Sequence, residues 1–426
     1  MAWVSIFFVL LQLGLKFGKG RTFYMKKATW ILFIISACSL CGCEKWGRSN
    51  KNQMGKGTQV ISISPNKDNA FIDISPYLDT LKYVKLELTD ESMIGLIDRI
   101  IIFEDRIYIH DSKTLSLFIF DMEGRYLFKI AKFGQGPGEY AQLDFFDIDR
   151  ESRHIVLSDL TNYWVMRYDL DGQFLFRQKI PVWCYGVSVL PNNGIVLFAA
   201  FSNNSTKLTQ EYNLFFLDSC MNIQKSFFPY NSRDLNPRIV PIVSQGGHFY
   251  TFENNLYFAF PDGSMIYQIT ADSVLIKYQF DFGKSVLHVE NPQSDPNLFT
   301  ERLSQRNYNG LYAPIVENDQ LLNFCMKTTQ TPLLYYVFYS KSSGNLIASY
   351  SFAIEQVCCM GNILSGYDSW LVYSDWDTEA IVNWRETFPK DQISTAGKFT
   401  KARLAFAEEL TEDDNPVLVF FKLKPF

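Results

Sequence analysis

The chain has 426 residues, of which 47% are hydrophobic, with 37 Phe and 23 Tyr. That length can bury one large core or two ordinary ones, and the aromatic excess favours half-buried strands over helices. Lys and Arg total 40 against 45 Asp and Glu, a net charge of -5, so no sequence-wide basic field exists to hold DNA or RNA, and nucleic acid is excluded as a partner.

Residues 3–15 are apolar and end at Lys16, Lys19 and Arg21. Met25-Lys26-Lys27 then introduces a second apolar run, residues 28–40, which is too short to span a bilayer as a helix but has the layout of a signal peptide. The run closes on Leu40-Cys41-Gly42-Cys43, which resembles the bacterial lipobox. Cys43 would be the lipidated residue and the mature N-terminus. Glu44 follows it, and resemblance to lipoprotein sorting signals implies the outer membrane, facing the periplasm or the cell surface. For residues 1–24 two accounts stay open: an upstream extension before a true start at Met25, or a membrane hairpin. The expected organisation is therefore 1–24 as an extension outside the fold, 25–42 as signal peptide, 43–59 as a flexible Gly-, Asn- and Lys-rich tether, and 60–426 as the folded domain.

From about Val60 onward, short apolar or alternating runs are punctuated by turn residues, the pattern of a sandwich, barrel or propeller. A repeat separates these. Sliding the sequence by 48 residues aligns 100–130 with 148–178 without a gap, pairing Ile100/Ile148, Ile107/Ile155, Asp111/Asp159, Asp121/Asp169, Gly124/Gly172, Leu127/Leu175 and Phe128/Phe176. Each unit reads as four strands with an acidic-Gly hairpin turn before the last, the size of one propeller blade. Looser copies follow around Asp218, Asp272 and Ser343-Gly344, and a sixth begins at Ile363. That copy is interrupted by a partly helical stretch, 375–410, in which Phe399, Ala402, Arg403, Phe406 and Leu410 keep helical spacing. The early strand at 81–88 lacks a partner in the first blade. The expected fold is an all-β, six-bladed propeller of four-stranded blades, closed by pairing 81–88 with 417–423, with a short helical insertion before that last strand.

Between the first two units lies Lys132-Phe133-Gly134-Gln135-Gly136-Pro137-Gly138-Glu139-Tyr140. With the lipobox, the six units and the closing Asn415-Pro416-Val417-Leu418-Val419, the chain resembles the six-bladed β-propeller lipoproteins of Bacteroides and relatives. The resemblance implies a fold related to NHL and TolB-type propellers and transfers no catalytic residues.

The glycines at 134, 136 and 138 are not a phosphate loop, because Pro137 lies among them and no Lys-Ser/Thr pair opens a helix. They are read as a sharp interblade bend, with Gln135, Glu139 and Tyr140 as a candidate ligand-face loop. Tyr163, Trp164, Trp183 and Tyr185 form a candidate aromatic platform for sugar rings, set against plain packing between blades. His110, His154, His248 and His288 make no metal or catalytic motif, and Asp169-x-Asp171-Gly172 lacks the rest of a calcium loop. No cofactor or metal is expected. Cys184, Cys220, Cys325, Cys358 and Cys359 show no zinc spacing and are read as buried thiols. Two functions remain: a non-catalytic binding or scaffold module for a glycan, peptide or envelope protein, or a metal-dependent lyase or hydrolase with its site in the channel. Which side chains line that channel discriminates them.

Overall fold

The computed structural model describes residues 54–64, 71–232, 248–261, 263–283, 309–327, 334–355, 358–359, 362–375 and 378–426. The expected signal peptide and Cys43 lie outside the described residues. Six four-stranded antiparallel blades follow in chain order. Blade 1 runs from Ile97–Phe103 to Tyr126–Ile130, blade 2 from Phe145–Asp149 to Phe174–Lys179, and blade 3 from Gly186–Val189 to Ile223–Tyr230. Blade 4 runs from Phe249–Phe252 to Val274–Asp281 and blade 5 from Gly310–Glu317 to Leu346–Ser349. Blade 6 is composite. Ile363–Tyr367, Trp370–Asp375 and Val417–Leu423 come from the C-terminal part, and Leu78–Lys85 supplies its outermost strand. The first strands of neighbouring blades pack against one another around the axis.

Blade formation follows from alternation and turn chemistry. Asp121 and Asp169 each accept from two backbone N–H groups in their own hairpin turn, those of Glu123 and Arg125 and those of Asp171 and Gln173. Gly124 and Gly172 sit in these turns at φ +82° and +80°, a conformation that glycine enters without cost. A Cβ at Gly124 would meet the Lys85 carbonyl oxygen at 2.1 Å, so the absent side chain also lets blades 6 and 1 approach.

The core is partitioned between blades. One buried cluster occupies each of the six interfaces: Tyr108 with Phe146 for blades 1 and 2, Val156 with Val187 for 2 and 3, Phe198 with Phe258 for 3 and 4, Phe280 with Phe324 for 4 and 5, Phe338 with Phe421 for 5 and 6, and Phe118 with Phe420 for 6 and 1. The last of these seals the ring. Within blade 6, Val417 pairs with Lys85, Val419 with Tyr83 and Phe421 with Leu81. The N-terminal strand starts at Leu78, three residues before its expected start, because it continues pairing to Leu423 past a bulge.

The helical insertion is two helices, α1 (Thr378–Thr387) and α2 (Lys398–Ala407), between the second and third strands of blade 6. Ile381, Phe399 and Leu410 pack onto the blade 5–6 core. A strand that the repeat did not indicate, Met54–Ser62, pairs in parallel with Val274–Asp281 and makes blade 4 five-stranded. It overlaps the end of the segment read as a tether. Ile61 is buried there and Thr58 Oγ1 donates to the Ile276 carbonyl, so an otherwise open sheet edge is covered. Cys184 and Cys325 are buried free thiols, pushed to high pKa by desolvation. Cys220, also read as buried, is instead exposed in the last hairpin turn of blade 3, because a turn offers no apolar layer to pack against.

Candidate binding site in the central channel

The first strand of each unit carries polar residues among apolar ones, and closing the ring turns these inward. A cavity of about 530 Å³ occupies the channel, walled by Asp98 and Arg99 of blade 1, Asp147 and Arg150 of blade 2, Tyr250 and Thr251 of blade 4, Tyr312 and Glu317 of blade 5, Tyr336, and Asn362 and Ser365 ahead of and within blade 6. A second cavity of about 540 Å³ lies toward the hairpins that join first and second strands in blades 1 to 4, lined by Glu104, Pro191, Asn193 and Asn254. Asp147, Arg150 and Thr251 line both, so the two spaces adjoin at these side chains. Each volume falls in the range of small-ligand sites.

The charges here are held in place. Asp147 Oδ2 accepts from Val189 N–H at 3.1 Å and from the Ser188 hydroxyl, and its Oδ1 accepts from Ile148 N–H. Arg99 lies over the Phe146 ring at 5.8 Å and Arg150 over Phe103 at 5.6 Å. Burial lowers the pKa of both guanidinium groups, Asp147 opposes that shift in both, and the charge of Arg150 lowers Arg99 further. Across the channel, Glu317 accepts from Tyr250 Oη at 3.0 Å and Tyr278 Oη at 2.8 Å and pairs with Lys341 Nζ at 3.0 Å. Desolvation, reinforced by the Glu317 charge, raises both tyrosines. These hydroxyls remain neutral donors at physiological pH. Fixed donors and engaged carboxylates around an open space suit recognition of a polar ligand.

The loop between blades 1 and 2 is built for rigidity. Tyr140 is fully buried, and its hydroxyl lies 2.8 Å from the Leu115 carbonyl and 3.1 Å from that of Ile130. Glu139 folds back to accept from Gly136 N–H at 2.8 Å, and a Cβ at Gly134 would collide with that carboxylate. Arg177 donates to the Gly136 carbonyl at 3.0 Å, while Gln135 is exposed. Of the three residues read as a ligand-face loop, only Gln135 therefore projects fully into solvent.

The aromatic platform divides. Tyr163 and Trp183 meet edge-on at 5.6 Å, Trp183 and Tyr185 at 6.2 Å, and Lys207 Nζ lies 3.9 Å from the Tyr163 centroid. Trp164 packs instead on the blade 1–2 side with Arg177 and Lys179 over its ring. Tyr163 lies in the turn before the strand Trp164–Asp169, at φ +60°, and packs on the blade 2–3 cluster while Trp164 packs on the blade 1–2 cluster, so the two do not share one platform.

His110 Nε2 lies 3.1 Å from the Leu143 carbonyl, and burial lowers its pKa. His248 packs against Phe198. Neither lines the channel cavity, and His288 lies outside the described residues. Among the described residues no group of three or more His, Cys, Asp or Glu is placed to hold a metal ion, and no helix is long and apolar enough to cross a membrane. Sequence reasoning passed over Arg99, Asp147, Arg150 and Glu317; the available signal was a charge inside the first, otherwise apolar, strand of a unit or just past its end.

The family model described as Domain of unknown function (DUF4934) matches residues 58–422. No curated protein matches the sequence. Among solved structures, a Bacteroides fragilis protein described as exported is 18% identical, with a TM-score of 0.67, covering 86% of this chain and 100% of its own. A member of the duf4221 family from Bacteroides vulgatus is 11% identical with a TM-score of 0.43, covering 82% and 97%. The first of these likenesses bears on the fold; the second is too low to carry an argument.

Proposed function

The chain belongs to the family described as Domain of unknown function (DUF4934), and on that premise we propose that it is a non-catalytic binding module of the bacterial envelope, lipid-anchored through Cys43 at the outer membrane. Its ligand, a glycan, a peptide or a segment of an envelope protein, enters the central channel. The observation that carries this reading is the channel wall: Arg99, Arg150, Tyr250 and Glu317, from four blades, face one cavity with their positions fixed by stacking, hydrogen bonds and an ion pair. A rigid ring presenting preorganised donors needs little reorganisation to bind. The signal-peptide layout before Cys43 and the exported description of the Bacteroides fragilis structure support the envelope location.

The test has two arms. Cys43→Ala should move the protein out of the membrane fraction, and a variant that stays there without acyl label refutes the anchor. Full-length protein in mild detergent, screened against envelope saccharides and peptides, should yield a saturable ligand whose binding is lost when Ser365→Trp fills the channel. Stoichiometric bound zinc, or turnover of an ester, glycoside or uronate substrate, would overturn the non-catalytic reading.

A further inference from the structure

Arg150 stands apart from the other charged groups of the channel. Among the described residues it has no hydrogen bond and no ion pair; its guanidinium is held only by the Phe103 face at 5.6 Å and by the nearby charge of Asp147. It lines both cavities. The acids around it are already committed. Asp147 takes the Ser188 hydroxyl and two backbone N–H groups, Asp98 Oδ2 accepts from Ser112 N–H at 2.8 Å, and Glu317 is met by Lys341 and two tyrosines. Asp149, one residue before Arg150, pairs with Arg167 at 2.6 Å.

A half-buried guanidinium with no protein acceptor gives up part of its hydration without replacement. Its planar fork matches a carboxylate in two parallel hydrogen bonds, and Arg99 lies close enough for its own pKa to be depressed by the Arg150 charge. An anion seated beside both would relieve that repulsion. The remaining wall specifies the body of the ligand. Thr251, Tyr312, Tyr336, Asn362 and Ser365 offer hydroxyl, amide and aromatic groups, which suit a ring bearing several hydroxyls, with tyrosine faces to stack on.

We propose that the channel ligand is an acidic saccharide, its carboxylate taken by Arg150 with Arg99 beside it and its hydroxyls by the tyrosine, threonine, serine and asparagine side chains of blades 4 to 6. This rests on the channel being the binding site. The Tyr163–Trp183–Tyr185 run, of which only Tyr185 is exposed, differs from this space: it carries aromatic faces and Lys207 but no arginine fork.

The experiment is calorimetric titration of the full-length protein in mild detergent with digalacturonate, with cellobiose as the neutral probe and inorganic sulfate and phosphate as the simple anions. Digalacturonate should bind, and more weakly as salt rises, while cellobiose should not. Arg150→Gln should weaken digalacturonate roughly thirtyfold or more, the loss expected when one partner of a buried charge pair is removed. Arg150→Lys, which keeps the charge but not the fork, should fall between. Thermal unfolding of Arg150→Gln should stay close to the parent, because the substitution removes one cation–π contact and a charge but no hydrogen bond or ion pair. Sulfate or phosphate binding as tightly as digalacturonate overturns the saccharide assignment, and so does the absence of binding by every anion. If cellobiose binds parent and Arg150→Gln alike yet is lost in Ser365→Trp, the acidic class is wrong and the channel survives. A ligand retained in Ser365→Trp sinks the channel itself.

Discussion

Cutting the chain after Asp414 removes Val417–Leu423, the third strand of blade 6, which lies between Trp370–Asp375 and Leu78–Lys85. Val417, Leu418, Val419, Phe420, Phe421 and Leu423 are each at most 3% exposed. At roughly 1.5–3 kcal/mol per buried apolar side chain, their loss is worth about 9–18 kcal/mol. That matches or exceeds the whole stability of a typical domain, roughly 5–15 kcal/mol. The cut also strands Leu78–Lys85 without a partner and opens the interfaces on both sides, where Phe421 meets Phe338 and Leu418 and Phe420 join the blade 1 cluster. The truncated protein should therefore show no cooperative thermal or urea transition. Deleting 54–62 is the internal control, since that strand pads the outside of blade 4. Among its described side chains Ile61 is the buried one, so the parent transition should survive at a lower midpoint. A truncation that melts cooperatively within a few degrees of the parent would refute the closure, as would a 54–62 deletion that does equal damage.

Other outcomes follow from individual side chains. Asp144 is raised to about 6 chiefly by burial, with the Asp159 charge adding to the shift. Its folded state binds the proton more tightly than the unfolded chain, so stability is greatest below the unfolded pKa near 4 and falls as pH rises through about 6. Asp144→Asn should accordingly stabilise the protein at pH 7.5, by about 1–2 kcal/mol once solvent screening is allowed for, and the gain should vanish near pH 4 in urea titrations. Tyr140→Phe removes a hydroxyl within reach of the Leu115 and Ile130 carbonyls and should cost about 1–3 kcal/mol by denaturation, with ligand binding unchanged. Glu317→Ala leaves two tyrosine hydroxyls without their acceptor and Lys341 without its ion partner, with the Asn318 carbonyl left to it, and should cost about 3–5 kcal/mol; a change below about 1 kcal/mol would mean that the cluster is solvated.

The architecture was legible because its signals are local. Of the residues shared across the 48-residue shift, the two aspartates and the glycine turn out to be turn chemistry, while the isoleucines are buried strand residues. Asp111 accepts from Lys113 and Thr114 N–H as Asp159 accepts from Asn162 N–H, and each also ties down the incoming loop, at Leu96 and at Ala141. The closing pair could be found because residues 81–88 read as a strand with no neighbour. The channel was not legible. Arg99, Arg150, Tyr250 and Glu317 are separated by about 50 to 100 positions, and each looks like an ordinary polar residue in or beside a short strand. Only ring closure brings them together. Tyr140 was misjudged because a glycine-rich loop suggests exposure, whereas its hydroxyl reaches two buried carbonyls inside the blade interface. The Met54–Ser62 strand escaped notice because a parallel edge strand needs no hairpin and leaves no turn signal nearby.

The composite blade also imposes an order in time. Leu81 and Phe421, which face each other across the clasp, are 340 residues apart, 421 minus 81. At synthesis rates of roughly 5–20 residues per second, about 17–70 s pass between the appearance of one and of the other. During that interval blades 1 to 5, each made of consecutive hairpins, have all their strands available, while Leu78–Lys85 waits with Leu78, Leu81 and Val84 uncovered. Among the described strands, the one that is to close the ring thus waits longest for its partner, and shielding it until Val417–Leu423 arrives should raise the yield of folded protein.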